Sequence, residues 1–488
     1  MKTAILADLH LTACRTSVKH AVLDWLAHEL RSRKPDLVVA IGDLTALGTE
    51  DQNQRLIHFL DGLGLPWCST PGNAEFRTSS ENARPWYVAP PSGAPLIFVD
   101  SANYEPPAAD LEALAALPDY AGFLLATHVP PYEWPEVAQE ALRLARQRGA
   151  VAAVIAGHQH DDGDDRLRGL DPDKSAGGPP MFELWDNGGG FWQREAVVME
   201  QADIRKWPLA ERTRLFSRFG VAAMSEPLET LEAARVQGIA HVELRNGPLL
   251  ELDEPQLLDA IRAWREAGGQ TLSLHLPSLT AEDDDGSLTD AAARAVRLGC
   301  DRVTLHVPAV KAADFPGRQE VLLANFQERM SPILDSPIDI GIENLHTSPG
   351  KEDDWHRNYG CTIGECRFWI ELLRATTGSK RLGFHLDIGH ARNNRPFNSA
   401  ENVSDFYAEL GGITNGCHFH QVTPNPQPGD SGNHTPFRGL YEKFISLAGY
   451  FLAWRAGQFP LNPPVYLEIR GNGLGLETYN TLKHLILE

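Results

Sequence analysis

Ala4-Ile5-Leu6-Ala7-Asp8-Leu9-His10 is a short apolar run that stops at a carboxylate and an imidazole. Its length alone fits strand or helix, but the Asp-x-His tip puts both polar side chains on one face of an extended chain, as a period of two requires. A plain hydrophobic core has no use for that pair. The run therefore reads as a buried strand delivering two metal ligands, and its layout, an apolar strand closed by acid or histidine, recurs along the chain.

Working outward, Val18 to Arg33 carries Val22, Leu23, Leu26 and Leu30 at helical spacing and ends before Pro35, so His20 and His28 read as surface or packing residues. Apolar strands then close on Gly42-Asp43, on Gly72-Asn73, on Thr127-His128 and on Gly157-His158-Gln159-His160. Each tip is weak evidence alone.

Their order is specific. Asp-x-His, Gly-Asn, Thr-His and Gly-His-x-His, with Gly-Asp between the first two, resemble the motif set of the calcineurin-like metallophosphoesterases over residues 1–200. Phe98-Val99-Asp100-Ser101 and Trp185-Asp186-Asn187-Gly188-Gly189-Gly190 extend the resemblance. It implies a four-layer αββα sandwich holding two divalent ions of the Mn, Fe or Zn kind. Asp8, His10, Asp43 and His160 would hold one ion, and Asp43, Asn73, His128 and His158 the other. Two such cations can clamp a phosphoryl group and activate a water. His128 is also a candidate catalytic residue, and Glu75 a candidate substrate contact. One departure matters: the histidine that commonly follows the ligand asparagine, and assists the leaving group, is Ala74 here. General-acid help from that position is lost, which favours good leaving groups or phosphodiesters.

From Phe219 onward, strand-like runs alternate evenly with helical patterns, which predicts a parallel βα array. The expected strands are 220–224, 241–244, 271–275, 302–306, 338–343, 382–387, 415–420 and 465–468. Eight units make a TIM barrel, whose chemistry lies at the C-terminal strand ends, where the ionisable residues cluster. The Leu-His-Leu-Pro, Leu-His-Val-Pro, Ile-Glu-Asn, Asp-Ile-Gly-His, Cys-His-Phe-His and Leu-Glu-Ile motifs are similar to those of xylose-isomerase-like barrels, a group that holds sugar isomerases, epimerases and endonuclease IV. The resemblance implies a divalent ion on Glu343, Asp387, Glu468 and a histidine of the seventh strand, with His418 favoured over His420.

Two modes then compete. In the isomerase or epimerase mode, Glu343 and Glu468 move a proton between carbons of a sugar, polyol or sugar phosphate. In the endonuclease-IV-like mode, extra histidines build a multinuclear site that cleaves phosphodiesters: His275, His306 and His390 stand where it wants them, while the Asp-x-His pair it needs after the seventh strand is absent and Asp430 and His434 offer both residue types at looser spacing. One to three ions (Mn, Zn or Fe) follow for the barrel. Arg245, Arg392 and Arg470, just past strand ends, are candidate grips for a carboxylate or phosphate. The loop from Asn344 to Tyr359, with Trp355 and His356, is a candidate lid.

At 488 residues the chain is too long for one ordinary core. The expected division is 1–202 for the phosphoesterase domain, 203–218 for a polar connector containing Pro208, and 219–488 for the barrel. A content of 42% apolar and 22% charged residues fits a soluble globular protein, and no run is long enough for a membrane span. Asp8 and His10 interrupt the N-terminal apolar run, so it does not read as a secretion signal, and six scattered cysteines read as reduced thiols. A cytoplasmic location is the expectation. The net charge of -21 opposes binding to a long polyanion, so a small phosphorylated or polyol substrate is expected over nucleic acid. The sequence leaves the oligomeric state open. The leading functional expectation is a dimetal phosphoesterase fused to an isomerase- or epimerase-like barrel; the second is a pair of hydrolytic halves. A binding or regulatory protein with an inactive first half, motivated by Ala74, is the third.

Overall fold

The computed structural model describes residues 1–77, 87–189, 191–282, 286–346, 357–393, 401–423 and 432–488. Asp430 and most of the candidate lid, Trp355 and His356 included, lie outside them. The chain forms two compact units, Met1–Asp203 with Tyr441–Leu452, and Ile204–Leu440 with Ala453–Glu488. The expected second domain runs unbroken over 219–488, whereas Tyr441–Leu452 is bonded into the first unit. Ser175 and Gly177 N–H donate to the carbonyls of Glu442 and Tyr441 at 3.3 and 3.0 Å, and Ser446 and Gly449 N–H donate to those of Asp173 and Pro172 at 2.9 Å each.

In the first unit, β1 (Lys2–Leu6), α1 (Val18–Arg33), β2 (Leu37–Ile41), α2 (Glu50–Gly62) and β3 (Trp67–Thr70) alternate. They are followed by β4 (Leu96–Val99), α3 (Ala108–Ala115), β5 (Phe123–Thr127), α4 (Glu136–Gln147), β6 (Val151–Ala156), β7 (Met181–Asp186) and β8 (Gln193–Val198). One sheet has the order β3-β2-β1-β7-β8, the other β4-β5-β6. Strands β1 to β3 are mutually parallel, as are β4 to β6, while β7 and β8 run antiparallel. The sheets share a core in which Ile5, Val39 and Ile41 meet Phe98, Leu124, Ala126 and Ile155. Leu125 and Val154 face the other way, onto Leu114 of α3 and Ala138 and Leu142 of α4. Adjacent residues of β5 thus serve opposite faces, as the pleat dictates. Trp25 of α1 packs on Phe182 of β7, covering the outside of the larger sheet.

In the second unit, α5 (Leu209–Phe216) leads into β9 (Phe219–Ala223), β10 (His241–Arg245), β11 (Thr271–His275), β12 (Arg302–His306), β13 (Asp339–Glu343), β14 (Leu382–Asp387), β15 (Thr414–Phe419) and β16 (Val465–Leu467). These eight strands close into a parallel barrel, β16 pairing with β9. They are the eight expected strands, with ends shifted by a residue or two. Among the described residues no helix is long and apolar enough to cross a membrane.

Candidate metal centres

The C-terminal ends of the parallel strands of both sheets carry the first cluster. Asp8, His10 and His160 form one group whose ligand atoms converge, and Asp43, His128 and His158 form a second. Asp43 joins them: Oδ2 lies 3.7 Å from His10 Nε2 and Oδ1 lies 3.3 Å from His128 Nε2. Asn73 Oδ1 belongs to the second group, 3.0 Å from His128 Nε2 and 3.1 Å from His158 Nδ1. In the first, His10 Nε2 and His160 Nε2 face each other at 3.2 Å.

The backbone is bent to make this possible. Ten described non-glycine residues have positive φ, and six of them are candidate ligands: Asp8, His10, Asp43, His158, His160 and His434. Left-handed backbone in such residues costs free energy and persists where the surroundings over-determine it. The glycines preceding the ligands have a steric reason. A Cβ on Gly157 would sit 2.6 Å from Asp8 Oδ2, and one on Gly72 would overlap Asp43 Oδ1.

Hydrogen bonds fix the rings. His128 Nδ1–H donates to the Ile41 carbonyl at 3.0 Å, and His160 Nδ1–H donates to that of Lys174 at 3.1 Å, so each ring turns its Nε2 into the cluster. Burial, helped by neighbouring positive groups, holds His158 down at about 4 and His160 at about 3, keeping both neutral. Burial would also lower His128, but the Asp43 carboxylate overrides it and lifts the ring to about 9. Burial, with the nearby charge of Asp43, raises Asp8 well above the usual carboxylate value. Neutral imidazoles and crowded buried carboxylates are the donor set that a pair of divalent cations satisfies.

Two polar residues have roles the sequence did not signal correctly. Glu75, expected as a substrate contact, is fully buried. Its carboxylate accepts from Asp43 N–H at 2.8 Å, Thr45 N–H at 2.9 Å, Thr45 Oγ1 at 3.1 Å and Gly72 N–H at 2.8 Å. It braces the two ligand loops and turns no oxygen outward. Lys19, unnoticed in the sequence, is fully buried; Nζ donates to the carbonyls of Leu9 and His10 at 3.0 and 3.1 Å and pairs with Asp171 Oδ1 at 3.0 Å. Its spacing from Val22, Leu23, Leu26 and Leu30 places it on the buried face of α1, which was the available signal.

The barrel mouth carries the second cluster. Glu343 Oε2 lies 3.2 Å from His275 Nε2 and 3.4 Å from His306 Nε2; its Oε1 lies 3.1 Å from His418 Nδ1 and 3.6 Å from His390 Nδ1. Glu468 Oε2 approaches His418 Nδ1 at 3.2 Å and His434 Nδ1 at 3.4 Å. Convergent groups include His275, His306 and Glu343; His275, His418 and Glu468; and His390, His420 and His434. Burial opposes ionisation of Glu343, yet His306 and His418 hold its carboxyl well below the usual range. Burial takes His306 down to about 3.

Both His418 and His420 fall in convergent groups. His418 lies on β15 and His420 one residue past its end, two positions apart, so both face the barrel axis, one layer apart. His420 Nε2 stands 3.1 Å from Asp387 Oδ1 at the mouth. His418 lies deeper, with Nε2 on Glu243, a buried carboxylate that also accepts from Ser273 Oγ and Thr304 Oγ1 at 2.7 Å each. Of the candidate grips, Arg245 is ion-paired with Glu468 Oε1, Arg392 is partly buried, and Arg470 is exposed, its backbone N–H donating to the His434 carbonyl at 2.9 Å.

Residues 1–162 match the family model of calcineurin-like phosphoesterases, and residues 229–448 match that of xylose isomerase-like TIM barrels. A comparison with curated proteins finds no match. Solved structures similar to the chain include a D-tagatose 3-epimerase-like protein, at 19% identity and a TM-score of 0.40 over 55% of this chain and 96% of that one. Endonuclease IV from Thermus thermophilus is similar at 17% identity and a TM-score of 0.39, over 55% and 98%. The probable 3-DHS dehydratase AsbF of Bacillus anthracis is similar at 12% identity and a TM-score of 0.41, again over 55% and 98%. The chain therefore joins a calcineurin-like phosphoesterase region to a xylose isomerase-like TIM barrel region.

Proposed function

We propose that both halves hydrolyse phosphate esters, the first as a dimetal phosphoesterase and the barrel as a multinuclear phosphodiesterase. The observation that carries this reading is the third histidine group of the barrel, His390, His420 and His434, standing beside Glu343, Asp387 and Glu468. Isomerisation asks for one ion and two carboxylates, and a further group of three convergent imidazoles is better matched to a second ion than to single hydrogen bonds with a sugar. Bound divalent ions would neutralise charge on the phosphoryl oxygens and make a water more acidic. The protein's part is to place them: Asp43 and Glu343 each turn their two oxygens toward different histidine groups, so each is suited to be shared. The net charge of -21 points to a small phosphodiester or nucleotide as substrate and away from long nucleic acid.

The test is metal content by elemental analysis together with hydrolysis of bis(4-nitrophenyl) phosphate, for wild type, Asp43→Asn and Glu343→Gln. Each variant should lose two or more ions and part of the hydrolysis. If Glu343→Gln loses a single ion and no hydrolysis, the barrel is not a phosphodiesterase. A second reading has one observation in its favour: Glu343 Oε1 and Glu468 Oε2 both approach His418 Nδ1, at 3.1 and 3.2 Å, so two carboxylates meet around one point, as proton transfer on a sugar or sugar phosphate requires. That reading predicts exchange of a substrate C–H with solvent deuterium, stopped by Glu343→Gln.

A further inference from the structure

The loop after β4 brings a phenol to the edge of the first centre. Tyr104 is 43% exposed and has φ +64°, a left-handed backbone that a bulky side chain seldom adopts. It shares this with Asp8, His10, Asp43, His158 and His160. The turn presents the phenol edge-on to His158, ring centroids 5.4 Å apart, with the hydroxyl 3.2 Å from Nε2. His158 points its other nitrogen, Nδ1, at Asn73 Oδ1, 3.1 Å away on the ligand side of the ring. A neutral imidazole offering Nδ1 to a cation carries its hydrogen on Nε2. With a cation held on Nδ1, Nε2–H would donate to the Tyr104 oxygen, leaving the phenol its own hydrogen for a different acceptor. The side chain of His158 is 16% exposed and Tyr104 43% exposed, so the phenol lies at the solvent edge of that ligand group.

We propose that Tyr104 is a substrate-contacting residue of the phosphoesterase centre, its hydroxyl donating a hydrogen bond to a phosphoryl oxygen of the bound ester. The inference rests on the phosphoesterase reading of residues 1–162. No proton is transferred; the phenol remains a phenol and the hydrogen bond strengthens as charge builds on the phosphoryl oxygens. A phosphoryl oxygen is an anionic acceptor, and hydrogen bonds to such groups are the strong ones. The strained backbone at Tyr104 is then the cost of aiming one donor at the ester.

The experiment compares Tyr104→Phe, which keeps the ring and the left-handed turn, with its parent in the full-length metal-loaded protein carrying Glu343→Gln, so that the barrel adds nothing to the diester hydrolysis that is read. Three quantities are read: kcat/KM for bis(4-nitrophenyl) phosphate, the inhibition constant of inorganic phosphate, and ions per chain. The expected result is a fall in kcat/KM of about ten- to a hundredfold and a weakening of phosphate inhibition of about tenfold, with the ion count unchanged. Unchanged kcat/KM and phosphate inhibition would overturn the proposal. So would a loss that disappears on adding excess metal, since Tyr104 would then only steady His158. Asp43→Asn run alongside in the same background separates this from the phosphoesterase reading. Should it hydrolyse the diester like the Glu343→Gln protein, the phosphoesterase assignment fails, and the effect of Tyr104→Phe on phosphate affinity still decides whether the hydroxyl contacts phosphate.

Discussion

Replacing Lys19 with Met removes a buried cation whose three donors are spent on the Leu9 and His10 carbonyls and on Asp171. Methionine fills a similar volume, so the loss is electrostatic. It leaves the fully buried Asp171 carboxylate with only the more distant Lys174 Nζ, 3.9 Å away, and breaking one partner of a buried pair costs about 3–5 kcal/mol. For a unit of this size each kcal/mol moves the melting temperature by about 2–4 °C, so a drop on the order of 10 °C is expected. The assay is calorimetric melting of the full-length protein, following the transition that metal removal also shifts. Removing both partners, Lys19→Met with Asp171→Leu, should recover part of the loss, because no charge is then left buried alone. The sign with pH is set by Asp171, which burial would raise but which Lys19 and Lys174 hold below the usual carboxylate value. The stabilisation is complete above that usual value of about 4 and lost as pH falls through the lower folded one. The gap between wild type and Asp171→Asn should therefore narrow only in acid. A Lys19→Met protein that melts within about 2 °C of wild type would refute the reasoning.

Two further outcomes follow from the geometry. Gly157→Ala places a methyl 2.6 Å from Asp8 Oδ2 and 2.9 Å from Ala7 Cβ, so elemental analysis should show ions lost from the first unit with the barrel's complement intact; full occupancy would show that the loop yields easily. Glu243→Gln takes a charge from beneath His418 and disturbs the bonds from Ser273 and Thr304, at a cost of about 2–3 kcal/mol. Denaturant unfolding should show it in the barrel transition alone, and an unmoved barrel midpoint would refute it.

What could be read from the sequence was whatever repeats with the period of its element. The candidate ligands of the first unit stand at the ends of apolar strands, and the barrel acids and histidines mark strand ends in the same way. Both family regions could therefore be recognised from the sequence, and a candidate site named for each. What could not be read depends on partners far along the chain. Glu75 stands beside a ligand, which suggests an outward role; only the fold shows four donors waiting for it. His418 and His420 stand two apart at the end of one strand, so periodicity cannot say which of them would take an ion. Lys19 reads as a solvated charge until Asp171, from a loop of no distinctive composition, is seen to reach it.

The return of Tyr441–Leu452 to the first unit has a consequence for synthesis on the ribosome. Every strand of that unit has emerged by Val198, yet the backbone donors of Ser175 and Gly177 wait for carbonyls made more than two hundred residues later. At about 5–20 residues per second that delay lasts from about ten seconds to about a minute, during which the phosphoesterase half is held incomplete while the barrel is translated. A nascent chain stalled before Tyr441 should accordingly be more open to protease around Asp171 to Gly178 than the finished protein. A gene cut after residue 203 would be expected to yield a permanently unfinished unit.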